Sequence, residues 1–176
     1  MSQTTRKRYH PVFIAVHWLM ALLVIATLVG GKFISRGLPA YKSISLHNHV
    51  TLGGIVVILI VIRFILRLAL TPPADANASR PLLKFSALAV HILFYVGIIG
   101  AGISGYTLYQ GAHLADLFGN SALPYPDFFQ ILPLQRRVHG VIVNIVLLLV
   151  FLHIGAVAYH QSKLKENIMV RMWFGE

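Results

Sequence analysis

The chain has 176 residues, of which 57% are hydrophobic and only 11% are charged, and its formal net charge is +10. A soluble domain carries about 25% charged residues, so this composition excludes an ordinary soluble enzyme. The basic residues flank long apolar runs instead of forming a stripe, which argues against a nucleic-acid partner. Cysteine is absent, which excludes disulfides, thiolate catalysis and iron–sulfur clusters. The sequence predicts an integral membrane protein that contacts lipid.

Four apolar segments are long enough to cross a bilayer, which takes about 20 apolar residues in a helix. They run from about residue 12 to 34, 49 to 70, 82 to 108 and 138 to 159. Prolines stand at several of their ends, as expected where a helix begins or stops. Helices satisfy every backbone polar group in lipid. We therefore predict an all-α protein in which residues 1–176 form one four-helix transmembrane domain.

The distribution of lysine and arginine predicts the orientation, since these residues favour the cytoplasmic side. Ten of the 15 lie before the first segment, between residues 63 and 84, or after the fourth segment. Both termini are therefore expected in the cytoplasm. Arg6-Lys7-Arg8 resembles the start of a cleaved signal peptide, but the apolar run that follows is too long and lacks a clear cleavage site.

Four of the nine histidines fall into pairs at matched depth. His17 lies near the cytoplasmic end of the first segment, whereas His49 and His139 open the second and fourth segments on the outer side. His153 follows His139 by 14 residues, which places it about 21 Å deeper on the same helix face. The pairs are His17 with His153 and His49 with His139. Two imidazoles from different helices are what axial ligation of a haem iron needs, so we predict two haems.

Other readings of these histidines stay open. Each one, taken alone, is compatible with a hydrogen bond to a neighbouring helix. Zinc fits less well, because a two-histidine site without acids lacks the usual three or four ligands. His47 is the substitute ligand if His49 is not one. Glycines near the ligands, such as Gly54, Gly140 and Gly155, allow a backbone to approach a flat cofactor or another helix.

The chain resembles the bacterial cytochrome b-561 family, which are four-helix proteins with two haems b, over nearly its whole length. The marks are His17-Trp18, His49 with the glycines after it, Arg63-x-x-x-Arg67 before Pro72-Pro73, His91 followed by Tyr95, His139, His153 with His160, and Lys165-Glu166-Asn167 before Arg171-Met172. The resemblance implies haem ligation by the same two pairs, with His17 and His153 on the cytoplasmic side. It also implies a multi-pass location in the bacterial inner membrane.

A second group of residues on the cytoplasmic half is a candidate quinone pocket. Its members are His91, His160, Trp18, Arg63 and Arg67. Histidine and arginine can donate to a quinone carbonyl, and histidine can relay the protons that quinone reduction takes up. Interhelical hydrogen bonds for His91, an interfacial place for His160, and snorkelling or haem-propionate contacts for the arginines remain open.

Positive charge also accumulates on the outer side, against the orientation rule. The residues are Lys32, Arg36, Lys42, Arg136 and Arg137, and they oppose only Asp116 and Asp127. A basic surface steers anions towards it, and the family that the chain resembles includes a superoxide oxidase that delivers electrons to ubiquinone. Contacts with haem propionates or lipid phosphates are the alternative, above all for Arg136 and Arg137.

These observations predict a dihaem oxidoreductase that carries electrons from a periplasmic donor, best matched by superoxide, to ubiquinone. The alternative is a cytochrome b subunit that serves a partner dehydrogenase or hydrogenase. A transporter or assembly factor without haem leaves the matched histidine depths unexplained.

Overall fold

The computed structural model describes residues 8–36, 39–73, 80–120 and 127–174, without the side chains of residues 35–36, 39–43 and 128–129. Within these ranges the chain forms helices and no strands. The helices are α1 (Pro11–Arg36), α2 (Pro39–Ala69), α3 (Pro81–Gly111), α4 (Leu114–Gly119), α5 (Phe128–Ile131) and α6 (Pro133–Ser162), followed by a 3-10 helix at Ile168–Met172.

Four of these helices, α1, α2, α3 and α6, are long and apolar enough to cross a membrane. Their mean hydropathy over the most apolar stretch is 2.6, 2.5, 2.0 and 2.7 respectively. Each begins at a proline, where the missing N–H costs no helical hydrogen bond. The predicted all-α bundle of four membrane-spanning helices is confirmed.

The helices run further than the predicted apolar segments. α2 already begins at Pro39, and α6 begins at Pro133. No proline interrupts the chain between Pro39 and Pro72, so the helix continues through the polar residues that precede His49. As a result His49 and His139 lie within helices instead of at their first turns, which fixes the direction of their side chains.

The bundle is built from two helix pairs. α1 packs along α2, α3 packs along α6, and a smaller contact between α2 and α3 joins the pairs. We call the end where α1 and α3 begin the terminus end, because the C-terminal residues fold against it. The opposite end, which carries α4 and α5, is the loop end.

A mid-bundle cluster of buried apolar side chains from all four long helices separates the two ends. It consists of Met20, Val24, Val56, Ile60, Ile98 and Val146. Large apolar side chains elsewhere face outwards, and Leu68 and Leu82 are 73% and 83% exposed. An exterior of this kind is stable in lipid and not in water.

The residues after α6 form a C-terminal clasp, residues 163–174, across the terminus end. The Trp18 indole nitrogen donates to the Met172 carbonyl at 2.6 Å. The Tyr9 amide donates to the Arg171 carbonyl at 3.1 Å, and the Arg171 guanidinium reaches the Pro73 carbonyl at 3.4 Å. The clasp thereby connects α1, α6 and the residues after α2.

Candidate cofactor-binding sites

At the loop end, His49 of α2 and His139 of α6 face each other across the bundle. Their ring centroids are 6.2 Å apart and the ring planes cross at 87°. The two helices belong to different helix pairs, so these imidazoles meet across the cleft between the pairs. The predicted juxtaposition of His49 and His139 is therefore present in the structure.

Hydrogen bonds at this end leave one nitrogen of each ring available. His49 Nδ1 lies 3.0 Å from the Thr27 carbonyl, and since a carbonyl only accepts, Nδ1 carries the proton. The Ser104 hydroxyl donates to the Ala101 carbonyl at 3.1 Å and lies 3.0 Å from His139 Nδ1. Because the hydroxyl donates its one proton to Ala101, it accepts a hydrogen bond from His139 Nδ1. Both Nε2 atoms then keep a lone pair, which is the form of histidine that binds metal.

Two glycines lie against these two imidazoles. A Cβ at Gly31 would stand 3.0 Å from His49 Cε1, and a Cβ at Gly105 would stand 3.3 Å from His139 Cε1. A larger residue at either position would require the ring to shift by a few tenths of an ångström. Glycine at 31 and at 105 thus allows each helix backbone to support an imidazole directly.

At the terminus end, His17 of α1 and His153 of α6 form the second pair. Their ring centroids are 6.3 Å apart and the planes cross at 64°. His91 of α3 joins this group, since its ring lies 5.8 Å from that of His153, and Phe94 lies 5.7 Å from His153 on another side. The His91 Nδ1 donates to the Ala87 carbonyl at 2.6 Å, so its Nε2 also keeps a lone pair.

Arg63 is buried beside this group, with only 8% of its surface exposed. Its guanidinium carbon lies 4.9 Å from the centre of the Phe13 ring. Among the described residues, the buried side-chain nitrogens without a hydrogen-bond partner are Arg63 Nε and His17 Nδ1. Because an unsatisfied buried N–H costs about 1–3 kcal/mol, Arg63 Nε points to a bound group with an acceptor oxygen at the terminus end.

Both pairs have the spacing that a shared metal requires. A metal–imidazole bond is about 2.0–2.1 Å long and the ring centre lies about 1.1 Å behind the bonded nitrogen, so two imidazoles on opposite sides of one metal have centroids about 6.3 Å apart. The observed separations are 6.2 and 6.3 Å. Within the described ranges, no group of three or more histidine, aspartate or glutamate side chains is arranged to hold a metal by itself. The separation within each pair is the one that two imidazoles sharing a haem iron would have.

The other residues predicted for the cytoplasmic half lie at the terminus end in different environments. Trp18 gives its N–H to Met172 and stands edge-on to the rings of His17 and Trp173, with both centroids 5.5 Å away. Arg67 is exposed and donates to the Tyr9 hydroxyl at 3.1 Å. Of the five, Trp18 and His91 have rings 5.5 and 5.8 Å from a member of the His17–His153 pair, whereas Arg67 contacts Tyr9 before the start of α1.

His160 is buried next to the clasp. Its Nδ1 lies 2.8 Å from Glu166 Oε2, and the other oxygen of Glu166 accepts from Arg80 at 2.7 Å. The His160 hydrogen bond, and after it the Arg80 charge, hold the pKa of the Glu166 carboxyl below its usual value.

Five basic residues are predicted to steer a substrate. The side chains of three of them are described, and they lie at the loop end. Lys32 donates to Asn144 of α6 at 3.0 Å. Arg136 and Arg137 lie in the first turn of α6, where Arg136 is half-buried and Arg137 is exposed. The side chains of Arg36 and Lys42 lie outside the described residues. His47, the substitute ligand, packs on Phe118 of α4 at 4.6 Å.

The sequence reasoning missed Thr27, Ser104, Gly31 and Glu166. Ser104 is a hydroxyl residue inside an apolar segment, which is a usable signal because few polar residues occur there, whereas Thr27 contacts His49 through its backbone carbonyl. Their partners, however, come from other helices or from the backbone. Sequence spacing along one helix does not give those contacts.

Comparison with known proteins agrees with this geometry. The model of the family described as prokaryotic cytochrome b561 matches residues 8–175. Cytochrome b561 homolog 2 of Escherichia coli (strain K12) is 29% identical over 109 residues, which is 59% of this chain and 56% of that protein. The probable superoxide oxidase CybB of Yersinia pestis is 22% identical over 168 residues, covering 94% of this chain and 96% of that protein.

The match covers all four long helices and both histidine pairs. Proteins of this family bind haem b and transfer electrons in the bacterial inner membrane, which agrees with the predicted cofactor class and location. The chain is a multi-pass membrane oxidoreductase that belongs to the prokaryotic cytochrome b561 family.

Proposed function

We propose that the chain binds two haems b and carries electrons between them, from superoxide at the loop end to ubiquinone at the terminus end. In this proposal His49 and His139 hold one haem, and His17 and His153 hold the other. The loop end faces the periplasm and both termini lie in the cytoplasm, in line with the distribution of lysine and arginine.

The observation that carries the proposal is the equal separation of the two imidazole pairs, at 6.2 and 6.3 Å. Each pair joins two helices from opposite sides of the same cleft. His139 and His153, on one face of α6, set the pairs about 21 Å apart along the helix axis. A bundle that merely satisfied four half-buried histidines would have no reason to place them at matching distances.

Bound haem b supplies reversible one-electron chemistry at its iron. The surrounding residues fix where that chemistry occurs. The Thr27 carbonyl and the Ser104 hydroxyl hold the loop-end imidazoles in the tautomer that leaves Nε2 unprotonated. Each of these hydrogen bonds also makes its imidazole a more basic metal ligand. The mid-bundle cluster keeps the two sites apart and excludes water between them.

At the terminus end, the groups next to the His17–His153 pair suit a quinone. The partnerless Arg63 Nε is a donor for a quinone carbonyl or a haem propionate. His91 and His160 supply exchangeable protons, which quinone reduction consumes. Trp18 and Arg67 support this wall by holding the clasp and Tyr9 in place.

At the loop end, the basic residues suit a small anionic donor. Lys32, Arg136 and Arg137 lie there, and Arg36 and Lys42 lie at the end of α1 and near the start of α2 in the sequence. Positive charge raises the encounter rate with anions. The relative named as a probable superoxide oxidase covers 94% of this chain, which supports superoxide as the donor.

The test is the visible spectrum of the purified protein before and after a pulse of superoxide, with and without ubiquinone. We expect a haem α-band that appears on the pulse and decays faster when ubiquinone is present. Two haems per chain are expected by pyridine haemochrome assay.

Other results would change the assignment. A band that forms with dithionite but not with superoxide would overturn the donor and favour the alternative, a cytochrome b subunit reduced by a partner dehydrogenase or hydrogenase. Co-purification of a stoichiometric partner would point the same way. One haem per chain would overturn the paired arrangement.

A further inference from the structure

The turn after α6 brings Glu166 back onto the helix end. Lys165 adopts a left-handed backbone with φ of 58°, which is uncommon for a residue with a side chain. The Glu166 amide then donates to the His160 carbonyl at 3.0 Å, while its carboxylate accepts from His160 Nδ1 at 2.8 Å. Glu166 therefore contacts His160 through both its amide and its carboxylate. This arrangement requires the strained backbone of Lys165.

Arg80, Glu166 and His160 form a hydrogen-bonded group that extends from the protein surface to a buried imidazole. The Arg80 and Glu166 side chains are 43% and 31% exposed, whereas the His160 side chain is 8% exposed. The ring of Tyr159 lies edge-on to that of His160, with the two ring centroids 6.4 Å apart. Lys163 and Lys165 lie in the connecting turn. Among the described residues, Glu166 is the acidic side chain at this end of the bundle.

The charge state of Glu166 decides which nitrogen of His160 exchanges protons. Its pKa is lowered by the hydrogen bond from His160 and by Arg80, so it stays a carboxylate at neutral pH and only accepts. His160 Nδ1 must then carry a proton. The second nitrogen, Nε2, on the far side of the ring, is left as the exchanging site.

We propose that Glu166 is a positioning residue that sets His160 as the proton donor to ubiquinone at the terminus end, an inference that rests on the proposed function. Reduction of one ubiquinone takes two electrons, supplied by two superoxide anions that leave as oxygen, and two protons. For each of the two protons in turn, the Nε2–H bond of His160 breaks and an O–H bond forms on the quinone. Water on the terminus side then returns a proton to His160, and Glu166 remains a carboxylate throughout.

The experiment compares two electron acceptors with the full-length, haem-loaded protein. Haem reoxidation is followed by stopped flow from pH 6 to pH 9, with ubiquinone, which needs protons, and with ferricyanide, which does not. For Glu166→Gln we expect at least tenfold slower reoxidation by ubiquinone at pH 8 and an unchanged rate with ferricyanide. The pH at which the ubiquinone rate has halved should also differ from that of the wild type, because an amide can donate as well as accept and no longer fixes the proton on His160 Nδ1.

Two further variants separate positioning from folding. Glu166→Asp keeps a carboxylate and should keep the wild-type pH midpoint, and it serves as the deciding variant if Glu166→Gln fails to retain haem. Gln161→Ala, a change at an exposed neighbour of His160, is the matched control and should behave like the wild type with both acceptors.

The outcomes distinguish this inference from the proposed function. Wild-type haem that is reoxidised by ferricyanide but not by ubiquinone would overturn the proposed function. A wild type that works with ubiquinone, together with a Glu166→Gln variant of unchanged rate and pH midpoint, would overturn the role of Glu166 alone. Equal slowing with both acceptors, or a shifted midpoint in Glu166→Asp, would show that Glu166 only holds the turn.

Discussion

The Ser104 hydroxyl accepts a hydrogen bond from His139 Nδ1 at 3.0 Å while it donates its own proton to the Ala101 carbonyl. Ser104 and His139 lie on α3 and α6, so one small side chain of α3 sets both the tautomer and the direction of an imidazole on α6. Metal-binding histidines usually have such a partner, and its loss commonly costs 10- to 100-fold in metal affinity.

Replacing that partner should weaken the loop-end site alone. For Ser104→Ala we expect about tenfold or greater loss of haem affinity at the loop end and no change at the terminus end, measured by haem titration of the haem-depleted protein. Thr107→Ala is the control, because the Thr107 hydroxyl bonds to the Ser104 carbonyl and not to His139. Wild-type affinity in Ser104→Ala would contradict the role of this hydrogen bond.

Loss of one histidine from a proposed haem-binding pair should remove one haem and spare the other. We expect His49→Ala and His139→Ala to lose the same haem, and His17→Ala and His153→Ala to lose the other one. Haem stoichiometry and the α-band maximum of each variant check this. A variant with both haems absent, or with both present, would contradict the pairing.

Adjacent glycines on α1 offer a matched test of the support given to His49. A Cβ at Gly31 would lie 3.0 Å from the His49 ring, whereas a Cβ at Gly30 would meet nothing within 4 Å. Both changes to alanine raise helix propensity by a similar amount, about 0.5–1 kcal/mol. We therefore expect Gly31→Ala to lower haem occupancy or shift the loop-end haem potential, and Gly30→Ala to do neither. The same result from both variants would mean that the contact with His49 has no influence.

Charge reversal at the loop end tests steering of an anionic donor. Combined Lys32→Glu, Arg36→Glu and Lys42→Glu substitutions should slow haem reduction by superoxide severalfold at 10 mM salt. The difference between the variant and the wild type should shrink at 0.5 M salt, because charges more than a few ångströms apart are then screened from each other. Lys84→Glu, in the first turns of α3 at the terminus end, should leave the rate unchanged. A rate that ignores both charge and salt would assign the basic residues to lipid or propionate contacts.

The bundle was predictable because lipid imposes a simple rule on sequence. Every backbone polar group must be satisfied within its own segment, so the length of each apolar run already implies a helix. The pairing of His17 with His153 and of His49 with His139 followed from depth, which the fixed rise per residue makes countable.

Lateral contacts were not predictable in the same way. In a soluble helix the apolar face marks the inside, but in these helices the lipid-facing side is as apolar as the core. Nothing in the spacing along α3 therefore showed that Ser104 turns towards His139, or that Gly31 of α1 supports a ring of α2. Glu166 was missed for another reason, since its contact with His160 depends on the left-handed backbone at Lys165.

The hydrogen bond from Trp18 to Met172 spans 154 positions in the chain. During synthesis the N-terminal parts of a protein emerge first, at about 5–20 residues per second. Every residue of the four long helices is therefore made before Met172. The bond that closes the terminus end forms after those helices have been synthesised, so the clasp can stabilise the finished bundle but cannot direct its insertion.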